Sequence, residues 1–217
     1  MSDPQILTAR RPIAARNTRW ASATARWLTR TGLRPNQISL LSVVFGALAG
    51  AALASTVLVS GFGRAALLLG AAVGIQLRLL CNLFDGMVAV EGGFRTAAGE
   101  IYNELPDRFA DLAIFVGAGY AAGSSPGLGW AAAVAAITTA YVRALGAAAG
   151  AGQHFVGPMA KQQRMAVMTT ACVVQGVLAA LFWRVDLLQP ALWLVVVGCV
   201  VTLIRRCTRI VRALEAQ

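Results

Sequence analysis

The chain has 217 residues, of which 58% are hydrophobic and only 13% are charged, and its mean hydropathy is +0.66. This composition excludes an ordinary soluble domain and is typical of a protein with several membrane-spanning segments. The formal net charge of +10 is not accompanied by the aromatic-interleaved basic surface of a nucleic-acid-binding protein. We therefore expect membrane lipids, not nucleic acid, as the anionic partner.

The N-terminal segment, residues 1–37, is rich in arginine and lacks the continuous apolar run of a cleavable signal peptide. Between Pro12 and Arg34, a helical arrangement places Trp20 and Trp27 on one side and several arginines on an adjoining side. This pattern predicts an amphipathic helix that lies on the membrane surface. Pro35 or Asn36 is then suited to start the first spanning helix.

Windows of about 20 apolar residues, the length that crosses ~30 Å of hydrocarbon as a helix, can be placed six times. They cover Ile38–Ser60, Ala65–Ala89, Gly99–Ala122, Leu128–Gly150, Arg164–Trp183 and Leu187–Ile204. Uninterrupted apolar runs lack the alternation of polar and apolar residues in a β-barrel strand. Inside lipid every backbone N–H and C=O group must be hydrogen-bonded within the protein, which a helix achieves. The sequence therefore predicts an all-α integral membrane protein with six transmembrane helices plus the N-terminal interfacial helix.

We expect a single membrane domain over residues 1–217. It would consist of the cytoplasmic or interfacial segment 1–37, a six-helix bundle over 38–204 and a cytoplasmic tail over 205–217.

The basic residues are distributed unevenly between the two ends of the predicted spans. Seven arginines precede the first span and four follow the last, and Arg95, Lys161 and Arg164 fall in or beside connections on the same side. Only Arg64 and Arg184 fall on the other side. The positive-inside rule then places both termini in the cytoplasm, which requires an even number of spans. We expect a bacterial inner-membrane protein whose site faces the cytoplasm.

The acidic residues are concentrated in one stretch. Six of nine lie between residues 82 and 111, namely Asp85, Glu91, Glu100, Glu104, Asp107 and Asp111. Asn82 and Asp85 are three residues apart in the second span, and Asn103, Asp107 and Asp111 follow at four-residue steps in the third. Such steps keep side chains on one helix face. Two antiparallel spans joined by a short link therefore predict an oxygen-lined pocket.

Ionisable side chains inside membrane spans are costly and are by default functional candidates. Carboxylates that lie close together repel one another unless they are neutralised, and hard divalent cations prefer oxygen ligands. These residues therefore predict a site for Mg²⁺ or Mn²⁺.

The spacing of this stretch resembles the CDP-alcohol phosphotransferase signature D-x2-D-G-x2-A-R-x8-G-x3-D-x3-D. The residues that match it are Asp85, Gly86, Ala89, Gly99 and Asp107. Those that depart from it are Asn82 and Asn103 in place of Asp, and Val90 in place of Arg. Pro35–Ser39 and Tyr141–Arg143 extend the resemblance over most of the chain.

The resemblance implies a six-helix, divalent-cation-dependent enzyme of phospholipid synthesis that forms a homodimer. Such an enzyme transfers a phospho-alcohol group, commonly the phosphatidyl group of CDP-diacylglycerol, to a hydroxyl acceptor and releases CMP.

Residue roles follow from the resemblance position by position. The cation-binding positions would be Asn82, Asp85, Asn103 and Asp107. The nucleotide-binding positions would be Asp85, Gly86, Ala89 and Gly99. The phosphate- or acceptor-binding positions would be Arg95, Arg143, Lys161 and Arg164. Asp107 is the first choice for the catalytic base, and Asp111 is an additional catalytic candidate.

Several alternatives remain open at this point. Asp111 and Arg78 are expected at a similar depth in the membrane, so a buried ion pair between them competes with a catalytic role for Asp111. The basic residues could be membrane anchors. The two asparagines also allow a non-catalytic relative that binds nucleotide or lipid, and intramembrane carboxylates would also suit a small cation transporter.

Overall fold

The structure is a computed structural model that describes residues 18–94 and 99–216. Within these residues the chain forms seven α-helices and no strands, in agreement with the all-helical prediction. The helices are α1 (Arg19–Arg30), α2 (Pro35–Ala54), α3 (Gly61–Glu91), α4 (Gly99–Gly119), α5 (Pro126–Ala148), α6 (Lys161–Ala180) and α7 (Leu188–Glu215). A short 3-10 helix, Ser55–Leu58, continues α2.

Four helical segments of the described residues are long and apolar enough to cross a membrane. They are Pro35–Leu58, Gly61–Glu91, Pro126–Ala148 and Leu188–Glu215. The third and fifth predicted spans also form helices, α4 and α6, of 21 and 20 residues. Both are more polar, since α4 carries most of the acidic stretch and α6 begins with Lys161 and Arg164. At ~1.5 Å per residue, each is roughly 30 Å long.

The helices α2, α3 and α4 form the part of the bundle that positions the polar residues. Helix α2 packs against both α3 and α4, α3 also packs against α6, and α4 packs against α5. The approach of α2 to α4 is close, because a Cβ atom on Gly50 would lie only 2.2 Å from the carbonyl oxygen of Ala113. Small residues at such a contact let two helix backbones meet directly.

Helix α1 docks on the bundle through two alanines. Ala21 and Ala25 are fully buried against a small apolar cluster that includes Phe84 of α3. The ring of Trp20 contacts Phe84 edge-on, with 6.0 Å between the ring centroids, whereas about half or more of Trp20 and Trp27 is exposed. The predicted amphipathic segment begins at Pro12, and its first residues, 12–17, lie outside the described residues.

The start of the first predicted span agrees with the structure, whereas the end of the last one does not. Helix α2 begins at Pro35 as predicted, and the Arg34 backbone N–H donates to Oε1 of Gln37 at 2.9 Å. Helix α7 is longer than predicted, because it continues past Ile204 to Glu215. Residues 205–215 contain no glycine or proline and several strong helix formers, so nothing in that stretch ends the helix.

Candidate active site

Asp85 is a buried carboxylate in the C-terminal half of α3. It is 3% exposed. Its Oδ2 atom accepts a hydrogen bond from the Ser39 hydroxyl of α2 at 2.7 Å, and its Oδ1 atom accepts one from the Gly86 backbone N–H at 2.5 Å. Among residues 18–94 and 99–216, no lysine or arginine forms an ion pair with it. Asp85 is therefore held by neutral donors.

Asp107 of α4 is also buried, but its two carboxylate oxygens are bound by cationic and amide groups. Oδ1 accepts a hydrogen bond from Asn82 Nδ2 at 2.6 Å and another from Arg78 Nη2 at 3.2 Å. Oδ2 forms an ion pair with Nζ of Lys161, the first residue of α6. Asn82 thus joins α3 to α4 beside Asp85, as the two polar helix faces predict, and α6 adds a charge that counters Asp107.

Asp111 lies one turn further along α4 and is enclosed by two arginines. Its Oδ1 is 2.6 Å from Arg78 Nη2, and its Oδ2 is 2.9 Å from Arg164 Nη2. Arg164 also donates to the Thr139 hydroxyl of α5 at 3.1 Å and to the Met159 carbonyl at 3.2 Å. The ion pair between Arg78 and Asp111, one of the two alternatives from the sequence, is present.

The remaining positions of the motif lie at the edge of this network. The side chain of Asn103 is exposed, whereas Gly86, Ala89 and Gly99 are partly buried. The four-residue step from Asn103 to Asp107 does not bring Asn103 into the buried cluster. The first turns of α4 present exposed residues such as Ile101 and Leu105.

The four basic candidates are distributed differently. Lys161 and Arg164 contact the acidic residues described above, whereas Arg143 does not. Arg143 pairs with Glu104 at 2.7 Å, donates to Gln153 Oε1 at 2.9 Å and stacks over Phe155 at 5.5 Å. Arg95 lies outside the described residues.

One participant, Ser39, and one contact, between Arg78 and Asp107, were not predicted from the sequence. Ser39 lies in the Pro35–Ser39 segment that carries part of the resemblance, but its contact with Asp85 crosses from α2 to α3. Arg78 was expected to meet Asp111 only, and it also contacts Asp107. The position of Arg78 inside a predicted span could have predicted this second contact. A buried guanidinium has five N–H donors and therefore needs more than one acceptor.

The described residues provide few free side-chain ligands for a pair of metal ions. No group of three or more carboxylate, histidine or cysteine side chains among them is arranged to hold a metal. Asp107 pairs with Arg78 and Lys161 and lies 3.9 Å from Arg108, and Asp111 pairs with Arg78 and Arg164. The oxygens that remain for a hard cation are those of Asp85 and the amide oxygen of Asn82, a donor set that suits Mg²⁺ or Mn²⁺.

Comparison with known proteins places this arrangement in context. No family model matches the chain. A phosphatidylinositol phosphate synthase of Streptomyces avermitilis is 29% identical over 202 residues, which cover 90% of this chain and 79% of the relative.

Solved structures of the phosphatidylinositol phosphate synthase of Mycobacterium tuberculosis share the fold at 22% identity. The complex with manganese and citrate has a TM-score of 0.72 and covers 88% of each chain. The form with CDP-diacylglycerol bound has a TM-score of 0.73 and covers 89% of this chain and 94% of that one. The chain is thus similar in sequence to one phosphatidylinositol phosphate synthase and shares the fold of another, and its α3–α4 motif resembles the signature of the CDP-alcohol phosphotransferases.

Proposed function

We propose that the protein transfers the phosphatidyl group of CDP-diacylglycerol, or of a similar CDP-alcohol, to a hydroxyl acceptor and releases CMP. The observation that carries this proposal is the hydrogen bond between Asn82 of α3 and Asp107 of α4, with the buried Asp85 three residues after Asn82, at the spacing of the family motif. The reaction would serve phospholipid synthesis. The activity named for the Streptomyces relative and the CDP-diacylglycerol in the mycobacterial complex support the same substrate class.

The reaction requires one bond to form and one to break at phosphorus. The acceptor oxygen bonds to the phosphorus that carries the diacylglycerol, and the bond from that phosphorus to the CMP oxygen breaks. CMP leaves with the electron pair of that bond. The proton of the acceptor hydroxyl goes to Asp107, the first-choice base, whose carboxylate must exchange a contact with Lys161 or Arg78 to receive it.

A bound Mg²⁺ or Mn²⁺ would neutralise charge on the pyrophosphate. Asp85 and the amide oxygen of Asn82 are the side chains suited to hold it, and Ser39 fixes the Asp85 carboxylate from behind. The motif also assigns Asn103 and Asp107 to cation binding. A part for these two residues would require the exposed Asn103 to approach the cluster and Asp107 to give up its contact with Lys161.

Substrate contacts are proposed from the same region. The small residues Gly86, Ala89 and Gly99 leave room for a nucleotide beside Asp85. Lys161, which is partly exposed at the start of α6, and Arg143 are suited to phosphate oxygens. Arg164 lies deeper and would act by holding Asp111 in place, and Arg95 stays a prediction of the sequence.

We further propose that α4 and α6 complete six membrane spans, with α1 on the surface of the inner leaflet and both termini in the cytoplasm of a bacterial inner membrane. Their ~30 Å lengths and their packing within the bundle support this arrangement. Cys207 is exposed near the C-terminus. In spheroplasts, a membrane-impermeant maleimide should label Cys207 only after permeabilisation, and labelling of intact spheroplasts would contradict this topology.

The resemblance also implies a homodimer. Native mass spectrometry of the protein in detergent micelles should show two chains per particle, and a single chain at all concentrations would contradict it.

The function is tested by CMP release from purified protein. The protein is incubated with CDP-diacylglycerol, Mg²⁺ or Mn²⁺ and a panel of alcohols that includes inositol phosphate and glycerol phosphate. Release that depends on one acceptor and is lost in Asp85→Ala supports the proposal. Glu91→Gln is the matched control, because Glu91 is an exposed acid at the end of the same helix. Absence of release with every acceptor would contradict the proposal.

A second candidate function is binding of the CDP-alcohol without transfer. It is favoured by the ion pairs that bind both oxygens of Asp107, because these contacts compete with its role as a base. CDP binding to the wild-type protein, without CMP release from CDP-diacylglycerol under any condition above, would favour this candidate.

A further inference from the structure

The cluster around Asp107 and Asp111 is balanced by the protein's own cations. Three buried carboxylates lie in this region, namely Asp85, Asp107 and Asp111. Four basic side chains form ion pairs with two of them, namely Arg78, Arg108, Lys161 and Arg164. At the motif positions where four aspartates would stand, the chain has only two, so two negative charges are absent. Less positive charge from divalent ions is therefore needed to neutralise this site.

The geometry at Asp107 points the same way. A metal ion that bridges from Asp85 to Asp107 requires a carboxylate oxygen of Asp107 that is not already bound. Oδ2 is in contact with the Lys161 ammonium, and Oδ1 accepts from both Arg78 and Asn82. A second ion at this position would have to displace a cationic side chain from a site that is 4% exposed.

Asn82 contributes to this arrangement through its amide nitrogen. Its Nδ2 atom donates to Asp107 at 2.6 Å, which leaves Oδ1 as the atom able to ligate a cation with Asp85. An aspartate at residue 82 would instead place a negative oxygen against the Asp107 carboxylate, and the two would repel. Asn82 therefore suits a site in which side chains, and not a metal ion, neutralise the charge of Asp107.

Arg78 has hydrogen-bonding capacity that the described residues do not use. It is 0% exposed, and its Nε and Nη1 atoms have no hydrogen-bond partner among those residues. Unpaired N–H groups on a buried guanidinium are costly. An anionic oxygen on a bound substrate is the kind of acceptor that would satisfy them.

We propose that this site holds a single divalent cation at Asp85 and Asn82, and that Lys161 and Arg78 occupy the place of a second one. This inference rests on the proposed function, since the charge it describes is that of a pyrophosphate in transfer. Lys161 supplies an ammonium point charge at the accessible edge of the cluster, and Arg78 supplies fixed N–H donors behind it. The substrate class is a nucleoside diphosphate ester of a lipid alcohol.

The test counts metal ions. Purified full-length protein in detergent micelles is titrated with Mn²⁺ in the presence of CDP, and bound Mn²⁺ is counted by electron paramagnetic resonance. We expect one Mn²⁺ per chain and no spin-coupled signal from a metal pair. Two ions per chain, a coupled pair, or no bound ion would each overturn the inference.

CMP release measured on the same preparation separates this inference from the proposed function. Release together with two bound ions would leave the function standing and remove the inference. One bound ion without release from any acceptor would support the single site and contradict the transferase.

Variants make the test specific to Lys161. Lys161→Gln frees Oδ2 of Asp107, so the count at saturating Mn²⁺ should rise from one ion per chain toward two. Arg64→Gln is the control, because Arg64 pairs with Asp186 and has no contact with Asp107, and its count should stay at one. A folded Lys161→Gln protein that still binds one ion would show that Lys161 does not stand in for a metal.

Discussion

Arg78 of α3 and Asp111 of α4 form a buried ion pair, with 2.6 Å between Nη2 and Oδ1 and side-chain exposures of 0% and 1%. Removal of one partner leaves the other charge buried without compensation. We expect Arg78→Met to lower the free energy of unfolding by about 3–5 kcal/mol, measured by chemical denaturation in micelles. An unchanged unfolding midpoint would contradict the structural role of this pair.

The control for that measurement is Arg108→Met. Arg108 forms its closest ion pair with Glu104, whose side chain is 38% exposed. Solvent screens a pair of this kind, so its loss is expected to cost less than about 1 kcal/mol.

Ser39 offers a test of the environment of Asp85. Its hydroxyl donates to Asp85 at 2.7 Å, and loss of such a supporting hydrogen bond typically lowers metal affinity or activity by about 10–100-fold. We expect Ser39→Ala to lower Mn²⁺ affinity and CMP release within that range. Ser42→Ala is the matched control, because Ser42 is equally buried but donates to the Ser39 carbonyl at 2.6 Å. Equal effects of the two variants would refute the prediction.

Substitutions of Asp107 and Asp111 are expected to have different effects, the first mainly on activity and the second mainly on stability. Asp107→Asn removes the proposed base and should lower kcat by about 100-fold or more, with KM for CDP-diacylglycerol changed less. Asp111→Asn weakens two buried ion pairs and should mainly lower the unfolding midpoint. The two measurements are made on the same preparations, and loss of kcat of similar size in both variants would assign Asp111 a direct part in the reaction.

Metal removal should be visible in stability as well as in activity. A cation that binds only the folded protein stabilises it by about 2.7 kcal/mol when its concentration is 100 times Kd. Thermal unfolding with chelator and then with excess Mn²⁺ should show this rise in wild type and not in Asp85→Ala. A rise that survives in Asp85→Ala would place the cation elsewhere.

The contact between α2 and α4 provides a test of packing. An added methyl group at Gly50 would lie 2.2 Å from the Ala113 carbonyl oxygen, whereas one at Gly70 of α3 would meet nothing within 4 Å. We expect Gly50→Ala to destabilise the protein by about 1–3 kcal/mol and Gly70→Ala to be neutral or slightly stabilising. The comparison uses unfolding midpoints, and equal midpoints for the two variants would contradict close helix contact.

The sequence was informative about the helices because long apolar runs and Pro35 leave few alternatives to a helical bundle. It was less informative about helix ends in polar stretches. The predicted last span ended at Ile204 because its apolar composition ended there, yet backbone hydrogen bonding continues to Glu215. Composition reports where a segment stops being apolar, whereas helix propensity decides where it stops being helical.

The site was predictable where its residues share a helix or two consecutive helices. The motif spacing predicted that the polar faces of α3 and α4 lie close together, and the hydrogen bond between Asn82 and Asp107 joins these two helices. The contacts of Ser39 with Asp85 and of Lys161 with Asp107 join residues 46 and 54 positions apart, and no periodicity reports such pairs. Asn103 lies at the correct step from Asp107 but in the exposed first turns of α4, beyond the reach of the buried cluster.

The order of the charges along the chain has a consequence for biogenesis. Arg78 is synthesised before Asp107 and Asp111, whereas Lys161 and Arg164 follow some fifty residues later. A nascent hairpin of α3 and α4 therefore contains Arg78 and Arg108 as counterions of the aspartates, but not the two counterions that α6 supplies. We therefore expect Asp107 and Asp111 to be fully paired only after residue 164 of 217 has been synthesised.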